Sequence, residues 1–355
     1  MHTDRPARLK KLFALLDKKQ LDGLLLAHPA NISYLAHLPS RDSWFLASRK
    51  GNCYFTDARY AEETRRKIPI RCKIAQTNGA PFKTIGTVCQ KLHLKRIGFE
   101  ERYFSYSEYR QLKRNLASAA LHPLSGIVEE LRQTKEPLEI RKIEKAVSIT
   151  QKTLRDIEPL LKPGKKEIEI VAELERLLRY KGAGDSSFNI IVASGPNASF
   201  PHHIPGERKL KRNEGVIIDI GVDYSGYKSD LTRVFFLGKI EGLLDRIFKV
   251  TLEAQKRAIA AIKPGVLTSE IDRIARTYIA SQGLGEFFIH NLGHGVGLEV
   301  HEEPSFSRKT GLPLQEGMVF TVEPGLYIPG RYGVRIEDMV LVTEKGCRQL
   351  SWHSQ

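Results

Sequence analysis

The chain has 355 residues, 41% of them apolar, with 28 glycines besides. That is close to an ordinary globular composition and long enough for two or three domains with sizeable cores. It excludes disordered, collagen-like and coiled-coil classes, and no apolar run approaches the ~20 residues of a membrane span. The formal net charge of +15 is concentrated at one end: residues 1–127 hold 23 Lys and Arg against 10 Asp and Glu, and residues 128–355 hold 33 against 31. A basic first third is a candidate footprint for nucleic acid or an acidic surface. No zinc-finger spacing and no aromatic RNA-binding signature accompanies it, so a solvated basic face is the expectation.

In chain order, Arg5 to Lys18 and Tyr106 to Leu116 read as helices, and the apolar runs Gly23 to Ala27 and Trp44 to Ala47 read as strands. This alternation predicts a small α/β domain. A boundary near Gly126 divides the chain into residues 1–127 and 128–355. The basic start is followed by no apolar core and cleavage site of a secretion signal. Cys53, Cys72, Cys89 and Cys347 form no CxxC pair, which fits reduced thiols in the cytoplasm. Leu131 to Leu161 predicts a long helix with a break in front, Pro137 being tolerated at a helix start.

A faint repeat follows. Lys162, Pro163, Gly164, Glu169, Ile170, Gly182 and Gly184 recur as Lys263, Pro264, Gly265, Glu270, Ile271, Gly283 and Gly285, always 101 residues later. Two similar halves would enclose a site between them.

Between the copies lies Gly215-Val-Ile-Ile-Asp219-Ile-Gly221, then a turn near Tyr224-Ser225-Gly226, then Tyr227-Lys-Ser-Asp230-Leu. A hairpin closing at residues 224 and 225 would place Asp219 opposite Asp230. Like charges across a strand pair repel, and Asp is depleted from strand interiors, so this pair demands a partner such as a cation. Three of the chain's 11 histidines, His290, His294 and His301, fall within twelve residues. Glu323 ends the apolar run Val319 to Val322, and in Gly333-Val-Arg335-Ile-Glu337 a period of two puts Arg335 and Glu337 on one face. Asp219, Asp230, His294, Glu323 and Glu337 make an oxygen-rich donor set that suits Mn²⁺ or a similar divalent ion. Four carboxylates balance two such ions, and a two-metal centre can activate a shared water.

These motifs resemble the pita-bread metallopeptidases, in the aminopeptidase P and prolidase branch, over essentially the whole chain. The segment from Asn31-Ile-Ser-Tyr-Leu35 to Phe55-Thr-Asp-Ala-Arg-Tyr60 resembles the creatinase-type N-terminal domain, and residues from about 128 resemble the pseudo-twofold catalytic domain. The fold this implies is α/β (α+β), a small creatinase-like domain followed by a pita-bread domain. The resemblance implies that Asp219 holds one ion, His294 and Glu323 the other, and that Asp230 and Glu337 bridge the two. Mn²⁺ comes first, with Co²⁺ and Zn²⁺ open. It also implies a bridging hydroxide, with Glu323 handling its proton. His202 would line the substrate site, His301 would contact the scissile peptide, and His290 and Tyr327 would belong to the same site. Arg335 would orient Glu337.

The activity implied is release of an N-terminal residue that precedes proline, from peptide substrates with proline second. No basic residue follows His301-Glu-Glu-Pro304, only Ser305, which favours the aminopeptidase over prolidase, the dipeptidase. Creatinase lacks this metal set, methionine aminopeptidase lacks the N-terminal domain, and a non-enzymatic peptide- or nucleic-acid-binding module would have lost the ligands. A homodimer is expected, with the basic domain near a catalytic cleft; neither a membrane nor nucleic acid is an expected partner.

Overall fold

The computed structural model describes residues 5–240, 242–306 and 311–351. They divide into two compact units, residues 1–132 and 133–355. Among the described residues, no helix is long and apolar enough to cross a membrane.

The first unit is built on a six-stranded mixed sheet. Its strands run in the order Lys73–Gln76, Cys53–Thr56, Trp44–Ser48, Gly23–Leu26, Arg96–Glu100 and Ala120–Leu124. The central strand Gly23–Leu26 is buried throughout, as a strand covered on both faces must be. Helices Arg5–Lys18 and Tyr106–Asn115 stand where the apolar spacing predicts them. The second begins at a capping box, in which the Ser105 hydroxyl accepts from the Glu108 N–H and the Glu108 carboxylate accepts from the Ser105 N–H. Helix Ile127–Gln133 goes with this unit: Arg132 donates to Asn31 at 2.7 Å, and Tyr34 donates to the Leu131 carbonyl at 3.1 Å.

The long helix expected over residues 131–161 is two. Ile127–Gln133 ends, Thr134 makes an antiparallel bridge with Met318, and a new helix runs Pro137–Ile157. Pro137 at the start of the new helix, with a capping box between Glu136 and Glu139, marks the break locally, and the long-range Thr134–Met318 pairing holds it.

In the second unit the repeat is structural. Helices Glu167–Tyr180 and Thr268–Ser281 have bounds 101 residues apart at both ends. Each follows a Lys-Pro-Gly turn whose glycine takes positive φ, 95° at Gly164 and 88° at Gly265. The Gly164 N–H reaches the Leu210 carbonyl at 2.9 Å, and the Gly265 N–H reaches the Leu314 carbonyl at 2.8 Å. The two copies therefore start their helices beside equivalent isolated bridges, Lys166 with Lys209 and Leu267 with Pro313.

Strand Gly215–Ile220 separates two apolar cores. Val216, Ile218 and Ile220 point into one, while Ile217 points into the other. By the two-residue period Asp219 shares the face of Ile217. Truncating one of these isoleucines to alanine costs ~2–5 kcal/mol.

Candidate metal centre

The hairpin register differs from the expected one by two residues. Asp219 pairs with Thr232, and Tyr224 with Tyr227. The turn is Ser225-Gly226, and both residues take positive φ, 53° and 86°, the two-residue geometry that matches strand twist. A slip of one residue would have turned Asp230 to the opposite face, whereas a slip of two keeps it on the face of Asp219. Asp219 and Asp230 are thus near neighbours but not cross-strand partners.

Asp219 is 8% exposed, Asp230 5% and Glu337 2%. Asp230 sits just before strand Leu231–Phe236, and Glu337 lies between strands Tyr332–Arg335 and Asp338–Val342. The single strand expected through Arg335 and Glu337 is therefore two strands with a break. Ligand atoms of Asp230, His294 and Glu337 lie within 4.8 Å of one another. His294 Nε2 is 3.2 Å from Glu323 Oε1 and 3.7 Å from Asp230 Oδ2. Glu323 follows strand Val319–Val322, and its N–H donates to the Leu292 carbonyl at 2.8 Å.

The charges are strained in a way that a cation would relieve. Burial, followed by the Glu337, Asp219 and Glu323 carboxylates, raises the pKa of Asp230 well above the usual carboxylate range. Burial together with Glu323 and Asp219 does the same to Glu337. Glu323 goes the other way: burial pushes it up, but the hydrogen bond and charge of His294 outweigh burial and hold it at about 2. The same contact raises His294 against the pull of its own burial. One oxygen, Asp219 Oδ1, is buried with no hydrogen-bond partner, an arrangement that costs free energy unless something charged fills it. A mixed carboxylate and imidazole set with an orphaned carboxylate oxygen fits a divalent ion of the Mn²⁺ type.

Arg335 is 4% exposed and spends its fork on four neighbours. It donates to Asp219 Oδ2 at 2.5 Å, the Tyr327 hydroxyl at 2.8 Å, Thr232 Oγ1 at 3.1 Å and the Pro201 carbonyl at 3.2 Å. Its hydrogen bonds hold Asp219 directly and reach Glu337 through Thr232, which donates to Glu337 Oε2 at 2.6 Å. Thr232 was not singled out from the sequence. Its signal was its place two residues beyond Asp230, on the same face. Thr321 was missed likewise; it accepts from the His294 N–H and donates to Glu323, both at 3.1 Å. Gly293 makes this possible, since a Cβ there would sit 2.0 Å from the Thr321 carbonyl oxygen.

The remaining histidines separate into two kinds. His290 lies 3.1 Å from the Tyr327 hydroxyl through Nε2, and burial lowers its pKa. Burial likewise pushes the Tyr327 hydroxyl up to about 12. His301 is exposed, with its ring 4.2 Å from that of His294. His202 is exposed, while its neighbour His203 is held at 2.8 Å by Glu167, a fully buried acid. The Arg335 bond to Pro201 ties this loop to the carboxylate cluster.

The arrangement has known relatives. A model of metallopeptidase family M24 matches residues 141–344, and one of the creatinase/prolidase N-terminal domain matches residues 8–134. The chain is 35% identical to the Xaa-Pro dipeptidase of Pyrococcus furiosus, over 97% of each. Among solved structures it is similar to an Xaa-Pro dipeptidase from Bacillus anthracis, with a TM-score of 0.95, 36% identity, and 99% and 98% of the two chains covered. It is also similar to an X-Pro aminopeptidase from Thermotoga maritima, with a TM-score of 0.88, 32% identity, and 94% and 96% covered.

Proposed function

The chain belongs to metallopeptidase family M24, with a creatinase/prolidase N-terminal domain ahead of a pita-bread domain, and on that premise we propose that it is an Xaa-Pro aminopeptidase acting on peptides longer than two residues. The peptidase reading rests above all on the convergence of Asp230, His294 and Glu337 beside the orphaned Asp219 oxygen. In this reading Asp219, Asp230, His294, Glu323 and Glu337 hold two divalent ions, Mn²⁺ by preference, with Co²⁺ and Zn²⁺ as substitutes. When bound, the ions supply Lewis acidity toward the scissile carbonyl and the attacking water.

The chain's own groups do the rest. Glu323 takes the proton of the attacking water on a carboxylate oxygen. It passes that proton to the proline nitrogen, which carries no hydrogen in the peptide and cannot leave without one. His301 donates to the oxygen on which charge develops. His202 lines the substrate site, as do His290 and Tyr327, which are hydrogen-bonded to each other. Arg335 keeps Asp219 in one orientation, the role that partners of metal ligands generally have.

Peptide length is the finer question. A dipeptidase must meet a free carboxylate close to the scissile bond, and Ser305, paired with His294 in the sheet, offers no charge for one. The dipeptidase relatives favour the second reading, prolidase. Assaying Xaa-Pro against Xaa-Pro-Xaa substrates with Mn²⁺, Co²⁺ and Zn²⁺ decides between them. Cleavage of Xaa-Pro alone overturns the aminopeptidase reading. We further read the protein as a cytoplasmic homodimer. Four free thiols suit a reducing compartment. Light scattering tests the dimer.

A further inference from the structure

The catalytic reading leaves a buried cation unused. Lys135 is 1% exposed, and its Nζ lies 2.8 Å from Oε1 of Glu302, itself 5% exposed. Lys135 is fixed at both ends of its side chain. Its N–H donates to the Gly317 carbonyl at 2.9 Å, beside the Thr134–Met318 bridge, and its ammonium donates to the Gln133 carbonyl at 3.1 Å.

Glu302 follows His301, at the end of the turn that leads there from His294. Its carboxylate sits inside that turn. Gly295 pairs with Glu302 in the sheet, and the carboxylate occupies the space above Gly297, where a Cβ would lie 2.3 Å from Oε1. The backbone closes around it, with the Gly297 N–H on the Glu299 carbonyl at 3.0 Å and the Lys228 N–H on the Gly297 carbonyl at 2.8 Å. A charge enclosed by a tight turn holds that turn only while a counter-charge meets it. Left alone, it draws water in and the turn opens.

We propose that the buried Lys135–Glu302 ion pair is a positioning device for His301: it locks the turn between the two histidines and thereby sets where the His301 imidazole stands beside His294. Lys135 and Glu302 are positioning residues here and touch no substrate. The inference rests on the peptidase reading for the role of His301, though not for the geometry.

The test uses the full-length chain, with Lys135→Met, Glu302→Gln and the double variant, each with and without His301→Ala. Below the melting temperature, Lys135→Met is expected to lower kcat by ~10–100-fold with KM and metal content little changed, the size of effect that follows a misplacement of ~1 Å. The double variant, which removes the uncompensated charge, recovers most of that loss. In the His301→Ala background Lys135→Met loses nothing more, because its effect runs through a side chain already gone. Equal losses with and without His301 would overturn the inference and leave the pair as mere scaffolding. A second readout needs no turnover: the His301 ring resonance of ¹³C-histidine-labelled, metal-free protein, assigned by its loss in His301→Ala. It should shift or broaden in Lys135→Met, while that of His290 stays in place. Glu302→Gln gives the same readout should Lys135→Met not fold. An unmoved His301 signal refutes the positioning role whatever the activity, whereas a moved signal in a protein that cleaves no Xaa–Pro bond refutes the peptidase reading instead.

Discussion

Replacing Arg335 by methionine should destabilise the metal-free protein far more than the metal-loaded one. In the metal-free state Arg335 is the buried cation held against Asp219 at 2.5 Å, in a cluster with three further carboxylates. Removing one partner of a buried pair costs ~3–5 kcal/mol, because the other is left charged and unsolvated. The second unit spans residues 133–355, a size at which 1 kcal/mol shifts Tm by ~2–4 °C. The metal-free variant should therefore melt ~6–20 °C below the wild type. With divalent ions bound, the charge of Asp219 is met from the other side. What remains is the loss of donors to the Tyr327, Thr232 and Pro201 oxygens, worth ~1–3 kcal/mol. Paired thermal melts in chelator and in Mn²⁺ measure the difference between the two drops. Arg335→Lys restores charge without the planar fork and should recover part of the metal-free loss only. Equal drops in both states, or a larger one with metal, would refute the assignment of Arg335 as the counter-charge of Asp219.

Asp230→Ala and Glu337→Ala should each abolish hydrolysis and lower the metal content; elemental analysis finding two tightly held ions per chain in either variant contradicts their bridging role. His301→Ala should keep its metal and lose ~10²–10³ in kcat, as loss of one transition-state donor does; normal kcat with depleted metal would make His301 a ligand. His290 has its pKa lowered by burial, so the unfolded chain binds its proton more tightly than the folded one. Its contribution to stability is complete above ~6.5, the unfolded value, and falls as pH drops below it. Denaturant midpoints between pH 7.5 and 5 should thus decline more steeply in the wild type than in His290→Gln. Parallel profiles would show that His290 does not titrate with folding.

What the sequence revealed and what it hid differ by the range of the interactions involved. Helix Arg5–Lys18 and both Lys-Pro-Gly turns could be read because the signals that make them are local. The hairpin register could not, since it depends on which two residues of Tyr224-Ser225-Gly226 take left-handed φ, and Ser225 is an unusual choice. The break between Gln133 and Pro137 has a local mark in Pro137, but the pairing of Thr134 with Met318, far along the chain, has none. The hydrogen bond from Arg335 to Asp219 was hidden for the same reason: a period of two places Glu337 on its face, but the strand ends after Arg335 and the guanidinium reaches Asp219, 116 positions away. Thr232 and Thr321 are short side chains with many bland uses, and only the carboxylates they touch distinguish them.

The repeat explains why the site was nonetheless legible. Its two copies match where both face the same physical demand, a helix that must start after a tight turn closed by a bridge to a distant segment. They cease to match where they contribute to a single centre. Asp219 and Asp230 come from the hairpin between the copies, and His294, Glu323 and Glu337 come from strands and loops after the second. The helix that follows the first Lys-Pro-Gly instead begins with Glu167, an acid given over to Ser194, Asn197 and His203. At the corresponding position in the second copy stands Thr268, whose hydroxyl accepts from the Leu312 N–H at 3.3 Å. The chemistry-bearing residues lie outside the matching positions of the frame, and that contrast is what makes them stand out in the sequence.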